Sequence, residues 1–309
     1  MGTAMSGAAS VAPQGFELRG WSEQRLALVE QALSRWVVAD APAGLGDAMR
    51  YAVLDGGKRL RPLLVLAAAE AVRGNEAAAL RAACAVELIH AYSLVHDDMP
   101  CMDNDVLRRG KPTVHVKFGQ AQALLAGDAL QALAFELLAP EDEDGVSATV
   151  QAALCRLLAR AAGHEGMAGG QAIDLASVGQ QLDEPQLREM HRRKTGALLR
   201  GSVMMGAACG DIGTAARAAL SRYGAALGLA FQVVDDILDV TADSATLGKT
   251  AGKDAAQDKP TYVSLLGLER SRALAAGLLD EALAALGESG LPDTRALHAL
   301  AKMVVDRDN

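Results

Sequence analysis

Phe231-Gln-Val-Val-Asp-Asp-Ile-Leu-Asp239 is an apolar helical segment interrupted by three aspartates. Asp235 and Asp239 are four residues apart, so a helix places them on one face, with Asp236 beside them. Gln232 lies one turn before Asp236. A solvated acidic stripe is the alternative interpretation, but such a stripe seldom interrupts so apolar a helix. Because buried carboxylates need compensating cations, the segment predicts a buried helix that carries a cation site.

A second acidic cluster, Asp97-Asp-Met-Pro-Cys-Met-Asp103, also follows an apolar helical run. Asp97 and Asp103 are six residues apart, and a regular helix would place them on nearly opposite faces. Pro100 cannot donate a backbone hydrogen bond and disturbs the preceding turn. We therefore expect two residues to be looped out, so that Asp103 returns to the face of Asp97. The alternative is an acidic loop that ends a helix.

The pair of clusters indicates metal-dependent chemistry. Carboxylates offer hard oxygen ligands, and two clusters that face one cavity suit Mg²⁺ ions that themselves hold a substrate phosphate. The sequence therefore predicts a Mg²⁺-dependent enzyme that acts on a diphosphate.

Two basic turns lie where a diphosphate would need them. GGKRLRP at 56–62 follows a helix end, and LRRGKPT at 107–113 directly follows the first acidic cluster. Arginine forks bind phosphate oxygens bidentately, and lysine adds a compact charge. Each turn alone could be solvated and without function. Their position beside the acidic clusters favours a phosphate site.

Single residues add weaker signals. His90 lies two helical turns before Asp97 on the same face, although a lone histidine is more often a packed one. Lys194-Thr195-Gly196 is on a predicted helix, where Gly196 weakens the helix without an evident structural benefit.

The composition predicts an all-α protein. Alanine and leucine dominate, aromatic residues make up only 3% of the chain, and the alternation typical of strands is absent. Glycine and proline breaks delimit about ten helices, and Asp183 before Pro185 resembles a helix N-cap. No break resembles a linker, so we expect one domain over residues 16–309 after a loose tail over 1–15. Facing helices of such a bundle can assemble a metal site in the core.

Charge and cysteine content restrict the partners and the compartment. A net charge of −8 argues against a nucleic-acid partner, because binding to a nucleic-acid backbone needs a broad basic face. The four cysteines have no CxxC spacing, which favours a reducing cytoplasm over a disulfide framework or a zinc site. The first residues do not resemble a secretory signal. The apolar runs are shorter than the roughly 18 to 20 residues of a membrane span, so a soluble cytoplasmic protein without one is expected.

Together these motifs resemble the short-chain trans-prenyl diphosphate synthases of the polyprenyl synthetase family, most of all the bacterial farnesyl diphosphate synthases. The resemblance covers nearly the whole chain from about Phe16. It implies an all-α isoprenoid-synthase helical bundle around a central active-site cavity, usually as a homodimer. The motifs that carry it are GGKRLRP at 56–62, DDxxxxD at 97–103, RRGKPT at 108–113, AGD at 126–128, GQxxD at 170–174, KTG at 194–196, FQxxDDxxD at 231–239, TLGK at 246–249 and KPTY at 259–262.

By this resemblance the chain condenses isopentenyl diphosphate with dimethylallyl or geranyl diphosphate to give farnesyl diphosphate. Three Mg²⁺ ions, for which Mn²⁺ can substitute, would be held by Asp97, Asp103 and Asp235, with Asp98, Asp236 and Asp239 assisting. The allylic diphosphate would contact Arg108, Lys194, Thr195, Gln232, Lys249 and Lys259. Isopentenyl diphosphate would be bound without metal by Lys58, Arg61, His90 and Arg109. The Thr195 hydroxyl, the Lys194 carbonyl and the Gln232 amide oxygen would stabilise the allylic cation, and the segment from Gly248 to Pro260 would close over the site.

Tyr92 bears on product length. It lies five residues before Asp97, about 7.5 Å along a helix. The resemblance implies that a bulky aromatic residue here forms the floor of the hydrocarbon cavity and limits the product to fifteen carbons. A tyrosine packed in the core is the alternative. Met99-Pro-Cys-Met also resembles some geranylgeranyl diphosphate synthases, so a twenty-carbon product stays open.

Three other functions fit the sequence less well. A terpene cyclase would usually carry a mixed Asn/Ser/Glu metal motif where this chain has Asp235, Asp236 and Asp239. A non-catalytic partner subunit of another synthase commonly loses aspartates, and this sequence has lost none. A purely structural helical protein would need neither acidic cluster.

Overall fold

The computed structural model describes residues 15–54, 56–141, 145–180, 182–241 and 260–306. The predicted all-α class is confirmed: within these ranges the only sheet is a hairpin of two two-residue strands. The described residues form fourteen α-helices instead of about ten, because short helices such as Val114–Phe118 end at glycines with positive φ.

The helices are bounded as follows: α1 Leu18–Trp36, α2 Leu45–Val53, α3 Leu60–Ala71, α4 Glu76–Asp97, α5 Val114–Phe118, α6 Gln120–Leu138, α7 Ala148–Ala162, α8 Met167–Ala176, α9 Glu184–His191, α10 Ala197–Ala208, α11 Thr214–Thr241, α12 Tyr262–Leu266, α13 Leu268–Glu288 and α14 Arg295–Val305. A 3₁₀ turn spans Pro42–Gly44, and a π-helical turn spans Arg192–Gly196. The hairpin pairs β1, Leu107–Arg108, with β2, Lys111–Pro112.

The helix starts obey local capping rules. The Asn75 side chain accepts a hydrogen bond of 2.8 Å from the Ala78 amide at the start of α4. Asp183 and Gln186 form a capping box at the start of α9, with a proline in the first turn, as the sequence predicted.

Helix α4 lies at the centre of the bundle. It packs against α6, α3 and α10, with α1, α2 and α7 around it. Its alanines let these neighbours approach closely, and Leu88 and Ile89 are fully buried. Each such side chain contributes about 1.5–3 kcal/mol of burial free energy. The central position of α4 fixes where its C-terminal aspartates lie.

Helix α11 is the second long element of the core. It packs against α13 and α10, and its C-terminal half lies in a hydrophobic cluster with Leu187, Tyr262 and Leu278. Asp236 and Asp239 are buried within this half. The apolar helix predicted around the second acidic cluster is therefore present.

By length and composition, α4 and α6 could each cross a membrane. The core helix of a soluble protein passes the same test, and 67% of the apolar window of α4 is buried inside the bundle, against 39% for α6. This is weak evidence for a span, and the absence of one stays a prediction.

Candidate active site

The chain folds back at the end of α4 and brings Asp103 beside Asp97. The helix ends at Asp97 instead of continuing around looped-out residues, because Pro100 cannot extend it. The Asp103 amide then donates a hydrogen bond of 2.9 Å to the Asp97 carbonyl. Asn104 takes a positive φ of 51°, which reverses the chain. The return of Asp103 expected from the sequence is achieved by a turn and not by a bulge.

Asp97 lies in an environment that disfavours its negative charge. Burial, the largest effect, raises the pKa of this carboxyl to about 6; Lys194 opposes the rise, and Asp103 adds to it. A divalent cation between the carboxylates would relieve both the desolvation and the like-charge repulsion. The first acidic cluster therefore has the electrostatics of a cation site.

The Asp98 carboxylate is paired with the Arg108 guanidinium. Arg108 donates to both carboxylate oxygens of Asp98, with Nε at 2.8 Å and an Nη at 2.6 Å. Asp98 is 2% exposed, so this fork on β1 is fixed in place. Asp98 thus holds a cation beside the cluster, and its assistance to the metal stays a prediction.

The three aspartates of the second cluster differ in burial, and hydrogen bonds fix the carboxylate of Asp236. One carboxylate oxygen of Asp236 accepts a hydrogen bond of 2.8 Å from the Gln232 amide, and the other accepts one of 2.8 Å from the Tyr262 backbone amide. Both carboxylate oxygens of Asp236 therefore accept hydrogen bonds from protein groups. Asp235 is only half-buried, whereas Asp239 is buried.

The π-helical turn connects the two clusters. Lys194, whose charge acts on Asp97, places Nζ 2.5 Å from Asp174 of α8. Thr195 donates a hydrogen bond of 2.9 Å to the Gln232 side-chain oxygen. π-turns occur frequently at functional sites. The π-turn thus interacts with Asp97 at the end of α4 through the charge of Lys194, and with Gln232 of α11 through the Thr195 hydroxyl.

Glycines make this connection possible. A Cβ on Gly228 of α11 would lie 2.8 Å from the Gly196 Cα, and one on Gly170 would lie 2.1 Å from the Lys194 amide nitrogen. The sequence assigned Gly170 and Gly228 no role, although neither has room for a Cβ, whereas a Cβ on Gly196 itself would make only ordinary contacts, the nearest 3.4 Å from the His191 carbonyl oxygen. Asp174 likewise received no role from the sequence, although the GQxxD motif contained it.

The two basic turns meet in space. The central residues of the hairpin, Arg109 and Gly110, both have positive φ, as a type I′ turn requires. This turn directs the Arg109 guanidinium to the Gly56 carbonyl at 2.5 Å. Gly57 lies against it, and a Cβ there would be 2.8 Å from an Arg109 nitrogen.

His90 lies beside these cations. Burial first, and then the charges of Arg61 and Arg109, lower the pKa of His90 well below its usual value. The imidazole is therefore neutral near pH 7 and can share a hydrogen bond in a cationic pocket. Lys58 is exposed on the same turn as Gly57. Three of the four residues predicted for isopentenyl diphosphate thus lie in one electrostatic environment.

Arg59, between two of the predicted ligands, faces the core. Its side chain is 3% exposed and contacts Glu30 at 2.7 Å and Glu87 at 2.8 Å. A third donor reaches the Val53 carbonyl at 2.6 Å. This buried ion pair network anchors the GGKRLRP turn. Lys249 and Lys259, the remaining predicted ligands, and all of the predicted closing segment except Pro260 lie outside the described residues.

Tyr92 is half-buried below the first cluster. Its ring meets the His96 ring edge-on, with centroids 5.6 Å apart. Burial raises the pKa of its hydroxyl, a hydrogen bond with the Gln131 side chain opposes this, and the Asp97 charge adds to it. The tyrosine therefore lies within electrostatic reach of the acidic cluster.

The donor set fits Mg²⁺ in a particular way. Among the described residues, no three acidic, histidine or cysteine side chains converge into a ready-made metal cage. Mg²⁺ is usually bound by one or two carboxylates, with the remaining positions filled by water and substrate phosphates. Aspartates on two separate helices suit this mode, because the diphosphate itself would complete the site.

The sequence profile of the Polyprenyl synthetase family matches residues 42–290. The chain belongs to the polyprenyl synthetase family. This confirms the family assigned from the motifs, and with it the enzyme class, a transferase of prenyl groups.

A "Probable farnesyl diphosphate synthase" of Sinorhizobium fredii is 53% identical to this polyprenyl synthetase, over 92% of this chain and 85% of the relative. A chloroplastic geranylgeranyl pyrophosphate synthase of Catharanthus roseus is 45% identical, over 95% and 82%. A geranyltransferase of Helicobacter pylori, solved with magnesium and isoprenyl diphosphate, superposes with a TM-score of 0.81 at 34% identity, covering 95% of this chain and 98% of that one. The predicted isoprenoid-synthase fold is confirmed.

Proposed function

We propose that this chain is a farnesyl diphosphate synthase, which condenses isopentenyl diphosphate with dimethylallyl or geranyl diphosphate. The observation that carries the proposal is the network from Asp97 through Lys194 and Thr195 to Gln232. It supports one centre between the acidic clusters of two helices, and the charges of Arg61 and Arg109 that act on His90 support a second, cationic pocket. Two unlike anion sites suit two unlike diphosphates.

The acidic centre would take the allylic diphosphate. Asp97, Asp103 and Asp235 would hold Mg²⁺, three ions by family resemblance, or Mn²⁺ as a substitute. When bound, the ions would neutralise charge on the departing diphosphate. Lys194 and the Asp98-bound Arg108 add fixed cations. Negative charge develops on the diphosphate as the C–O bond breaks, so these groups favour ionisation to an allylic cation.

The cationic pocket would position isopentenyl diphosphate without ionising it. Lys58, Arg61, His90 and Arg109 supply charge and hydrogen bonds, and an ionised isopentenyl group would lack allylic stabilisation. Its double bond attacks the allylic carbon and forms the new C–C bond. The proton is then lost to the departing diphosphate, which leaves a trans-allylic product five carbons longer.

Thr195 and Gln232 would stabilise the allylic cation. The Thr195 hydroxyl and the Gln232 side-chain oxygen form one hydrogen-bonded dipole pair. Their oxygens, with the Lys194 carbonyl, present partial negative charge to a cation without offering an acidic proton. Water must be excluded meanwhile, because it would convert the cation to an alcohol.

A fifteen-carbon product is favoured over twenty carbons by two observations. The relative named a farnesyl synthase is more similar than the plant geranylgeranyl synthase, at 53% against 45% identity. Tyr92 also places a bulky ring below the acidic cluster. A non-catalytic partner subunit is disfavoured, because all six aspartates of the two motifs are present.

The test incubates purified protein with Mg²⁺, labelled isopentenyl diphosphate and each allylic starter, followed by chromatography of the products. We expect farnesyl diphosphate with either starter and none after chelation with EDTA. Product without any divalent ion would contradict the metal assignment. No prenyl product from any starter would contradict the enzymatic proposal.

We further propose a single-domain, cytoplasmic homodimer. Val116 of α5 and Leu124 and Leu125 of α6 are 49%, 47% and 53% exposed, and a second copy would cover these apolar side chains. Light scattering should give twice the mass of the chain, and Leu125→Glu should give monomers. A wild-type monomer at micromolar concentration would refute the dimer.

A further inference from the structure

The backbone of Arg59 has a conformation that its side-chain contacts help to maintain. Arg59 directly precedes the first residue of α3 and has a φ of 45° and a ψ of 33°, in the left-handed region. A residue with a Cβ rarely adopts this conformation, which persists where the surrounding structure holds it. The contacts of the Arg59 side chain therefore bear on the shape of the GGKRLRP turn.

The Arg59 guanidinium joins this turn to three helices. Its Nε lies 2.7 Å from Glu30 of α1, and one Nη lies 2.8 Å from Glu87 of α4. The other Nη donates a hydrogen bond of 2.6 Å to the carbonyl of Val53, the last residue of α2. Because the guanidinium is a rigid planar fork, Arg59 cannot move relative to one helix without loss of its contacts to the others.

Glu87 connects the turn to the part of α4 that carries His90. Glu87 and His90 are three residues apart in α4, so they lie on the same side of the helix. On the turn, Arg59 and Arg61 are two residues apart, and the charge of Arg61 acts on His90. The buried pair of Arg59 and Glu87 therefore fixes the turn in register with the segment of α4 beside it.

We propose that Glu87 is a positioning residue for isopentenyl diphosphate, which acts through Arg59 to hold Lys58 and Arg61 in register with His90. This rests on the proposed function and deepens it. Glu87 itself touches no substrate. Since isopentenyl diphosphate is bound without being ionised, displacement of the turn weakens the binding of this substrate and leaves ionisation of the allylic diphosphate unaffected.

The first test is Glu87→Gln, which keeps the size of the side chain and removes the charge that holds Arg59. Steady-state kinetics with the allylic starter saturating should show the KM for isopentenyl diphosphate raised about tenfold, the effect of one weakened charge-assisted hydrogen bond. The kcat and the KM for the allylic starter should stay within about twofold of wild type. Glu87→Asp keeps the charge but shortens the side chain, and should raise the same KM by a smaller factor.

A double variant separates positioning from stability. Loss of folded enzyme lowers the apparent kcat and leaves KM unchanged. Arg59→Met combined with Glu87→Leu replaces the buried ion pair with apolar side chains, an exchange that often restores the stability lost when one partner is removed. The urea midpoint of the double variant should exceed that of Arg59→Met alone. Its KM for isopentenyl diphosphate should nevertheless remain as high as in Glu87→Gln.

Two further variants serve as matched controls. Arg50→Met removes an arginine of α2 that donates hydrogen bonds of 2.8 Å and 2.6 Å to the carbonyls of Ser34 and Val37. It should lower the urea midpoint without a change in KM, because Arg50 is not part of the basic turn. Glu30→Gln alters the partly exposed partner of Arg59 and should raise KM less than Glu87→Gln, since the contact with α4 remains.

Each outcome has a distinct meaning. If the wild type makes no prenyl product, the proposed function fails before the variants are compared. If the wild type is active and both Glu87→Gln and Glu87→Asp keep its KM for isopentenyl diphosphate, the positioning role is refuted. A double variant with a wild-type KM would also refute it, because apolar packing would then position the turn equally well.

Discussion

The Thr195 hydroxyl lies 2.9 Å from the Gln232 side-chain oxygen and donates a hydrogen bond to it. Because the Gln232 amide nitrogen donates to Asp236, the amide has one orientation that satisfies both neighbours. An oxygen fixed by two partners costs no reorganisation when positive charge develops nearby. The π-turn and α11 are thereby joined into one unit at the proposed reacting centre.

We expect Thr195→Val to lower kcat about tenfold, with the KM for isopentenyl diphosphate unchanged. The substitution keeps the volume and removes one hydrogen bond that orients the Gln232 oxygen. Steady-state kinetics with the allylic starter saturating checks this. Thr214→Val, at the exposed start of α11, is the matched control. Unchanged kcat in Thr195→Val would mean that the hydroxyl does not affect ionisation.

Asp97→Asn should reduce turnover by roughly a thousandfold or more, because a metal-binding carboxylate is lost. The substitution preserves size, so folding should be intact. Asp211→Asn, on an exposed loop, should retain wild-type activity. Single-turnover assays with Mg²⁺ separate loss of chemistry from loss of binding. A variant with near-native turnover would remove Asp97 from the metal site.

Arg59→Met should destabilise the protein by about 3–5 kcal/mol, since it leaves the buried Glu87 carboxylate without its cation. Urea unfolding monitored by circular dichroism measures the change. Arg19→Ala breaks an exposed ion pair with Glu23 and should leave the urea midpoint nearly unchanged. Equal effects of the two substitutions would contradict the anchoring role of Arg59.

Stability should fall in mild acid because of His191. Burial is the main cause that lowers the pKa of His191 to about 4; Asp174 opposes this and Lys194 reinforces it, while the Tyr262 ring lies 5.6 Å away. The unfolded histidine titrates near its usual 6.5. The unfolded state therefore binds the proton more readily, and stability present above about pH 6.5 is lost as the pH falls towards 4.

The loss should total roughly 3 kcal/mol over that window at about 1.4 kcal/mol per pH unit. Urea midpoints measured from pH 7 to pH 4 give the slope. His191→Gln cannot titrate and should flatten this part of the curve, whereas the half-exposed His298 offers a control substitution with a smaller effect. Identical pH slopes for His191→Gln and wild type would exclude His191 as the cause.

Gly57→Ala should raise the KM for isopentenyl diphosphate about tenfold. Gly57 has a φ of 137°, and a Cβ would collide with the Arg109 guanidinium. Displacing a phosphate-binding arginine weakens positioning more than ionisation. Gly277→Ala, on an exposed face of α13 with no atom near the added Cβ, should leave the kinetics unchanged. An unaltered KM in Gly57→Ala would separate Arg109 from that diphosphate.

The sequence by itself determined the helical class, because alanine- and leucine-rich segments with 3.6-residue periodicity need only local contacts to be recognised. It also determined which aspartates share a helix face in α11, and that Pro100 disturbs the helix beside Asp97. These are properties of spacing along one element, so they are readable without knowing what the element packs against.

Only the tertiary structure decided how the charged residues of each motif divide their tasks. The Asp98 and Asp236 carboxylates accept hydrogen bonds from protein groups. The Arg59 side chain is buried in the core, although Lys58 and Arg61 on either side of it in the sequence are predicted to bind substrate. Lys194 meets Asp174, and Thr195 meets Gln232, each pair across two helical segments. Spacing along a helix fixes a residue's direction, but its partner depends on which helix lies opposite and in which register, and that is set by packing of the whole bundle.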